Sequence, residues 1–215
     1  MEMNDKFRRY AELLKEWNEK MNLTAITDDD EIKVKHFQDS LTILPYITGG
    51  GSLADIGTGA GFPGLPVAIE RPDLSVVLVD ALNKRISFLE CVVRELGLTN
   101  VKCVHARAED FGRDPEFRGK FDYVTARAVA SMPVLAEYCL PLLKEGGHFI
   151  AMKGPGAAEE DCSRALKLLG GRMLSADEFV LEGTDMGRCI IDIEKTGPTP
   201  KTYPRKAGLP SKKPL

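Results

Sequence analysis

The 215-residue chain is predicted to be α/β: a mostly parallel seven-stranded sheet with helices on both faces, preceded by a helical extension. Three observations predict this. Short apolar, β-branched runs alternate with helical stretches from about residue 50 onward, the pattern of parallel strands joined by helical crossovers. A glycine-rich turn, DIGTGAGFPG over Asp55–Gly64, follows the first run and precedes a helix. The second run, VVLVD over Val76–Asp80, is continuously apolar and ends in a carboxylate, as a strand buried on both faces does.

Phe7, Tyr10, Leu14, Trp17 and Met21 recur at steps of three and four, one face of a helix capped near Asn4 or Asp5. A second helix is expected from about Asp30 to Leu44, stopped by Pro45 and Gly49–Gly51. This divides the chain into a helical extension over 1–48, an α/β domain over 49–197 and a proline-rich basic tail over 198–215. Within the domain, strands are expected at Leu53–Asp55, Val76–Asp80, Val101–Ala106, Tyr123–Ala126 and His148–Met152. Helices are expected near Leu65–Glu70, Lys84–Leu96, Val134–Leu143 and Asp161–Leu169. Phe179–Leu181 and Cys189–Ile193 read as a closing hairpin.

A hydrophobic content of 43% fills a core of this size. No uninterrupted apolar run approaches eighteen residues, and MEMNDKFRRY does not read as a signal peptide. The five cysteines (Cys91, Cys103, Cys139, Cys162, Cys189) are scattered, without a C-x-x-C pair, and read as the reduced thiols of a cytoplasmic protein. They form no metal-ligand spacing with the three histidines. Net charge is −3, yet Lys201, Arg205, Lys206, Lys212 and Lys213 crowd a tail without a single acid. A basic end on an acidic body fits local contact with a polyanion, and equally a solvated tail. Tyr203, among these cations, is of the type that stacks on unpaired bases.

The glycine loop narrows the ligand. Gly57, Gly59 and Gly61 form G-x-G-x-G, and Phe62 stands where a dinucleotide fingerprint requires its third glycine. Asp55 lies two residues before the first glycine. This D-x-G-x-G-x-G loop resembles motif I of Rossmann-like methyltransferases that bind S-adenosylmethionine. Glycines suit that ligand because backbone without Cβ can pass beneath an amino acid and a ribose. Asp80, 23 residues after Gly57, is close to the roughly 20-residue spacing at which an acid meets ribose hydroxyls. It could equally cap the following helix.

DIGTGAGFPGLP, VDALNKRISFLE, ARAED, ARAVAS, MKG and KTYPRKAGLPSKKP together resemble the 16S ribosomal RNA guanine-N7 methyltransferases, from about Trp17 to the C-terminus. The FPG extension and the tail are the most specific parts; Leu209 departs from the small polar residue expected there. The resemblance implies a methyltransferase domain over 49–197 that uses S-adenosyl-L-methionine and releases S-adenosyl-L-homocysteine. The substrate it implies is 16S rRNA, alone or within the small subunit. It implies no membrane and no obligate protein partner.

The ligand set it implies is Gly57, Phe62, Ala108, Glu109 and Arg127, joined by Asp55, Gly59, Gly61 and Asp80 from the loop and strand pattern. Glu109 reads as an adenine contact or as a surface or capping acid. Arg127 and Lys153 are positioning candidates for a ligand carboxylate or RNA phosphate, or else members of internal ion pairs. His36 and Asp39, at i and i+3, read as a structural pair more than as pocket residues. Lys201, Tyr203, Arg205, Lys206, Lys212 and Lys213 are the candidate RNA contacts.

The acceptor is narrowed by what the sequence lacks. None of the five cysteines follows the fourth strand at its tip, where pyrimidine C5 methylation places its thiolate. TARAVAS stands where amine methylation shows [ND]-P-P-[YF]. Guanine N7 offers an in-plane lone pair and loses no proton, so no nucleophile or base is assigned. Positioning alone supplies roughly 7–11 kcal/mol in such reactions. The alternative reading is a methyltransferase of a small molecule.

Overall fold

The computed structural model describes residues 3–215; Met1 and Glu2, the start of the expected helical extension, lie outside the described residues. Seven strands form one sheet in the order β3-β2-β1-β4-β5-β7-β6. Their ranges are β1 Gly51–Ile56, β2 Leu74–Asp80, β3 Val101–His105, β4 Phe121–Arg127, β5 Leu143–Lys153, β6 Gly171–Val180 and β7 Gly187–Lys195. The pairs among β1 to β5 are parallel, while β7 runs antiparallel to both β5 and β6. The chain order reverses between β1 and β4, so the carboxyl ends of these strands open the crevice where such sheets bind ligands.

Helix α1 (Asp5–Met21) starts where the Asn4 side chain accepts the Phe7 N–H at 3.1 Å and stops at Asn22 in the left-handed region. Its buried face, including Phe7, Tyr10 and Leu14, packs on Phe37, Phe62 and Phe88. The Tyr10 hydroxyl also donates to the Ala60 carbonyl in the glycine loop. The second expected helix is α2 (Asp29–Ile32), a π-helical segment at Lys33–Gln38 and α3 (Asp39–Leu41), capped by the Asp28 side chain on Glu31. It ends sooner than expected, and Leu44–Tyr46 forms a separate 3₁₀ turn containing Pro45.

Helices α4 (Gly64–Glu70), α5 (Asn83–Glu95), α6 (Ala108–Phe111), α7 (Met132–Cys139) and α8 (Ser163–Leu169) follow in order. The helix expected to reach Leu143 stops at Cys139, because Pro141 lacks an N–H; a 3₁₀ turn then feeds β5 directly. β6 begins eight residues before the expected Phe179. It is a half-exposed edge strand without a continuous apolar run. The proline-rich basic tail is folded onto the core, not solvated along its length, with one helical turn, α9 (Leu209–Lys212). Among the described residues, no helix is long and apolar enough to cross a membrane.

Tyr10→Phe keeps the aromatic packing but removes the hydroxyl that satisfies Ala60. It should cost about 1–3 kcal/mol, the range for a buried polar group left unpaired, measured by urea unfolding.

Candidate active site

The glycine loop is stitched to the end of β2. The Gly57 and Thr58 N–H groups donate to the Val79 carbonyl at 2.9 and 3.0 Å, and Gly59 N–H donates to Asp80 Oδ2 at 3.0 Å. At Gly57 (φ +69°) a Cβ would lie 2.8 Å from Val129 Cγ2. At Gly59 (φ +62°) a Cβ would point into open space, touching only the Gly57 carbonyl at 3.9 Å. Both positions need glycine, the first for close packing and the second for a clear floor.

Asp80, 3% exposed, works on three fronts: Gly59, Arg85 Nη1 at 3.2 Å, and the Leu82 N–H at 2.9 Å before α5. The capping alternative is not met, since the bond to Leu82 reaches the residue ahead of α5, whose first turn has no side-chain cap; Asp80 stands on the cleft wall. Asp55, expected at the cofactor, points beneath the loop instead. Its Oδ2 accepts from Thr58 Oγ1 at 2.6 Å and Gly64 N–H at 2.9 Å, while the wholly buried Oδ1 has no hydrogen-bond partner. Burial pushes this carboxyl up to about 6, against the pull of Thr58, Gly64 and Arg127. Gly61 also faces away, its Cβ position 2.5 Å from Leu65 and 2.6 Å from the Tyr10 hydroxyl.

Three adjoining cavities run along the carboxyl ends of the strands. The first, ≈ 470 Å³, lies over Gly57–Ala60 and is bounded by Phe62, Asp80, Arg127 and Val129. The inner one, ≈ 240 Å³, shares Gly57 and Asp80 with it and adds Ala108, Glu109, Tyr138, Gly208 and Ser211. The outer one, ≈ 420 Å³, shares His36, Arg127 and Ala128 with the first and adds Lys35, Asp39, Lys153 and Arg188. Glu109 is neither cap nor surface acid: it is 5% exposed, and its Oε1 accepts the Gly208 N–H at 2.7 Å.

Arg127 stands where the first and outer cavities meet. Its Nη1 donates to Asp39 Oδ2 at 3.0 Å, and its guanidinium lies 4.9 Å from the Phe62 ring centroid. Arg188, which the sequence did not single out, holds the other oxygen of Asp39 at 2.7 Å. His36 stacks on Phe62 at 4.4 Å, with Nε2 2.9 Å from Thr24 Oγ1 and Nδ1 3.4 Å from Arg127 Nη2. Arginine only donates, so Nδ1 is the acceptor and Nε2 carries the proton. Burial, reinforced by Arg127, lowers this imidazole to about 4. His36 and Asp39 are thus joined through Arg127 and line the outer cavity. Lys153 also borders it, but its ammonium is held by Glu160 at 2.8 Å and the Ala130 carbonyl at 2.9 Å.

The tail corrects one expectation and narrows another. Arg205 pairs with the wholly buried Glu137 at 2.5 Å and is not free for RNA. Tyr203 is half-buried against the core, which leaves only part of the residue exposed for stacking. Lys201, Lys206, Lys212 and Lys213 are exposed, with no ion-pair partner among the described residues.

The family model for GidB, rRNA small subunit methyltransferase G, matches residues 3–173. The ribosomal RNA small subunit methyltransferase G of Desulfitobacterium hafniense (strain Y51) is 56% identical over 213 residues, 98% of this chain and 89% of that protein. The chain belongs to the rRNA small subunit methyltransferase G family. It is therefore a methyltransferase of small-subunit ribosomal RNA. Another member, from Acetivibrio thermocellus, is 54% identical over 216 residues, covering 100% of this chain and 89% of the relative. The fold is shared more widely. A ribosomal protein L11 methylase from Lactobacillus delbrueckii subsp. bulgaricus superposes with TM-score 0.56 at 18% identity, covering 74% of this chain and 77% of that one. A 16S rRNA (adenine(1408)-N(1))-methyltransferase from Catenulisporales acidiphilia, solved with cosubstrate SAM, gives TM-score 0.54 at 17% identity over 69% and 86%.

The His36 environment makes stability depend on pH with a defined sign. Unfolded, the imidazole takes a proton below its ordinary 6.5; folded, only below about 4. Acidification through that window favours the unfolded chain by up to roughly 3 kcal/mol. Asp55 acts oppositely, since its folded carboxyl is protonated first. Urea unfolding of the wild type and His36→Gln at pH 7 and pH 4.5 should therefore diverge, with the wild type losing more stability at the lower pH.

Proposed function

We propose that the protein transfers the methyl group of S-adenosylmethionine to N7 of a guanine in 16S rRNA, without a covalent enzyme intermediate. One observation carries the acceptor assignment: every titratable group lining the outer cavity is a cation or already hydrogen-bonded. His36 is bound on both ring nitrogens, and Asp39 is taken by two arginines. No cysteine lines any of the three cavities. Such a pocket suits an acceptor that attacks with a ready lone pair and surrenders no proton.

The cleft fits the cofactor. Its floor at Gly59 is clear of side chains, and Asp80, which accepts three hydrogen bonds in the protein, keeps one lone pair on Oδ1. Gly57, Gly59 and Phe62 would pass beneath the amino-acid end, Asp80 would accept a ribose hydroxyl, and Ala108 and Glu109 would flank the adenine. Arg127 would face the carboxylate end. When bound, the cofactor supplies a methyl group on a cationic sulfur.

The outer cavity would take the guanine. Ile26, Met152 and Met186 give it apolar walls for a flat base, while Lys35, Arg127 and Arg188 bring positive charge to an anionic strand. An arginine donor on guanine O6 would orient the ring and leave N7 free. Arg127 and Lys153 act by position, Lys153 by fixing the loop at Ala130. A small-molecule acceptor would leave the four exposed tail lysines without a role.

Labelled methyl from adenosylmethionine should enter 16S rRNA as 7-methylguanine, read as strand scission at one nucleotide after reduction and aniline. Label recovered at any other atom overturns the assignment. A variant lacking all five cysteines should stay active. Asp80→Ala should weaken S-adenosylhomocysteine binding by about 1.5–3 kcal/mol in calorimetry, the range for hydrogen bonds to a charged group.

A further inference from the structure

The C-terminal segment is bound to the core far more tightly than an RNA-contacting tail requires. Arg113 Nε donates to the Pro204 carbonyl at 2.7 Å, and Arg118 reaches the carbonyls of Tyr203 at 2.7 Å and Thr199 at 3.0 Å. Arg205 grips Glu137 through its backbone N–H at 2.7 Å and its side-chain Nε at 2.9 Å. Glu137 is 0% exposed, and a buried carboxylate is tolerated only with its partner in place. These contacts fix where the chain goes next. Gly208 donates to Glu109 Oε1 at 2.7 Å, Ser211 Oγ lies 3.1 Å from the Tyr138 hydroxyl, and both residues wall the inner cavity with Asp80 and Ala108.

We propose that the C-terminal segment is a strap that completes the cofactor site, Gly208 and Ser211 forming the wall against which the adenosine end of the ligand binds. The proposal rests on the reading that the inner cavity receives adenosine. Glu109 shows why the wall matters. With one oxygen committed to Gly208, its carboxylate is held in a single orientation, and Oε2 makes no protein hydrogen bond among the described residues. An acceptor beside the Tyr138 and Ser211 hydroxyls suits the amino edge of a purine. Without the strap, Glu109 loses that anchor and the cavity loses one side to solvent.

Calorimetry with two probes, S-adenosylhomocysteine and 5′-methylthioadenosine, tests this on the full chain, a chain ending at Thr199, and Ser211→Leu. Truncation should weaken both probes at least tenfold. Ser211→Leu, which leaves the Arg205–Glu137 pair intact, should weaken both by similar factors, because methylthioadenosine retains the adenosine and lacks the amino acid. Thermal unfolding identifies any variant that fails to fold; if truncation does, Ser211→Leu decides. Binding by folded Ser211→Leu within twofold of the full chain for both probes overturns the strap alone. Failure of the full chain to bind either probe overturns the cofactor reading and the strap with it.

Discussion

The glycine loop keeps its shape because carboxylates at the ends of two adjacent parallel strands accept its hydrogen bonds. Asp55 at the end of β1 takes the Thr58 hydroxyl and the Gly64 N–H, and Asp80 at the end of β2 takes the Gly59 N–H. Bonds to an ionised acceptor are about twice as strong as neutral ones, so a loop with three glycines becomes a fixed surface. The arrangement carries a cost. Asp55 is fully desolvated with one oxygen unpartnered, and the charge of Asp80 nearby makes its ionisation harder still; Arg127 offsets part of this. The start of α4, the floor of the first cavity and the seat of Phe62 all follow from that loop. Tyr10 closes it from the other side, which gives the N-terminal helix a direct part in the site.

Local features were legible in the sequence and distant pairings were not. The loop, Asp80 and the strand alternation declare themselves because spacing along the chain sets their geometry. The inward turn of Asp55 was hidden, because a strand buried on both faces shows no alternation from which to read side-chain direction. β6 was shortened for the opposite reason: an edge strand exposes one side and carries no apolar run. The basic tail read as free because Arg205 and its partner Glu137 stand 68 residues apart. Arg188 escaped notice for the same reason, since Asp39 lies 149 residues away and nothing in either local sequence marks the pair. The π-helical segment at Lys33–Gln38 likewise left no mark in the apolar pattern, although it carries His36 to the cleft.

The ion pairs of this protein do different work according to burial. Pairs on the surface of α1, such as Arg9 with Glu12, join exposed side chains and contribute little. Asp39 with Arg127 and Arg188, and Glu137 with Arg205, lie where an unpaired charge would be heavily penalised, so each dictates one arrangement of the segments it joins. The first ties the N-terminal region to β4 and β7 around the outer cavity. The second ties the C-terminal segment to α7 beside the inner one. Both ends of the chain are thereby committed to the cleft.

Arg127 shows how such a commitment serves the proposed chemistry. Methyl transfer to a purine nitrogen moves positive charge from sulfur to the ring, and a free cation beside that ring would oppose it. The charge of Arg127 is already spread over Asp39, and its plane is pinned against Phe62. Asp39 in turn shares its second oxygen with Arg188, so neither guanidinium can swing toward the acceptor without stripping a buried carboxylate. The two guanidiniums and the one carboxylate still sum to +1, so the cluster keeps charge for an anionic strand while the group at the boundary between donor and acceptor cavities is held in place. A neutral His36 stacked on the same phenyl ring suits this arrangement, because a protonated imidazole there would add a further positive charge beside the acceptor ring.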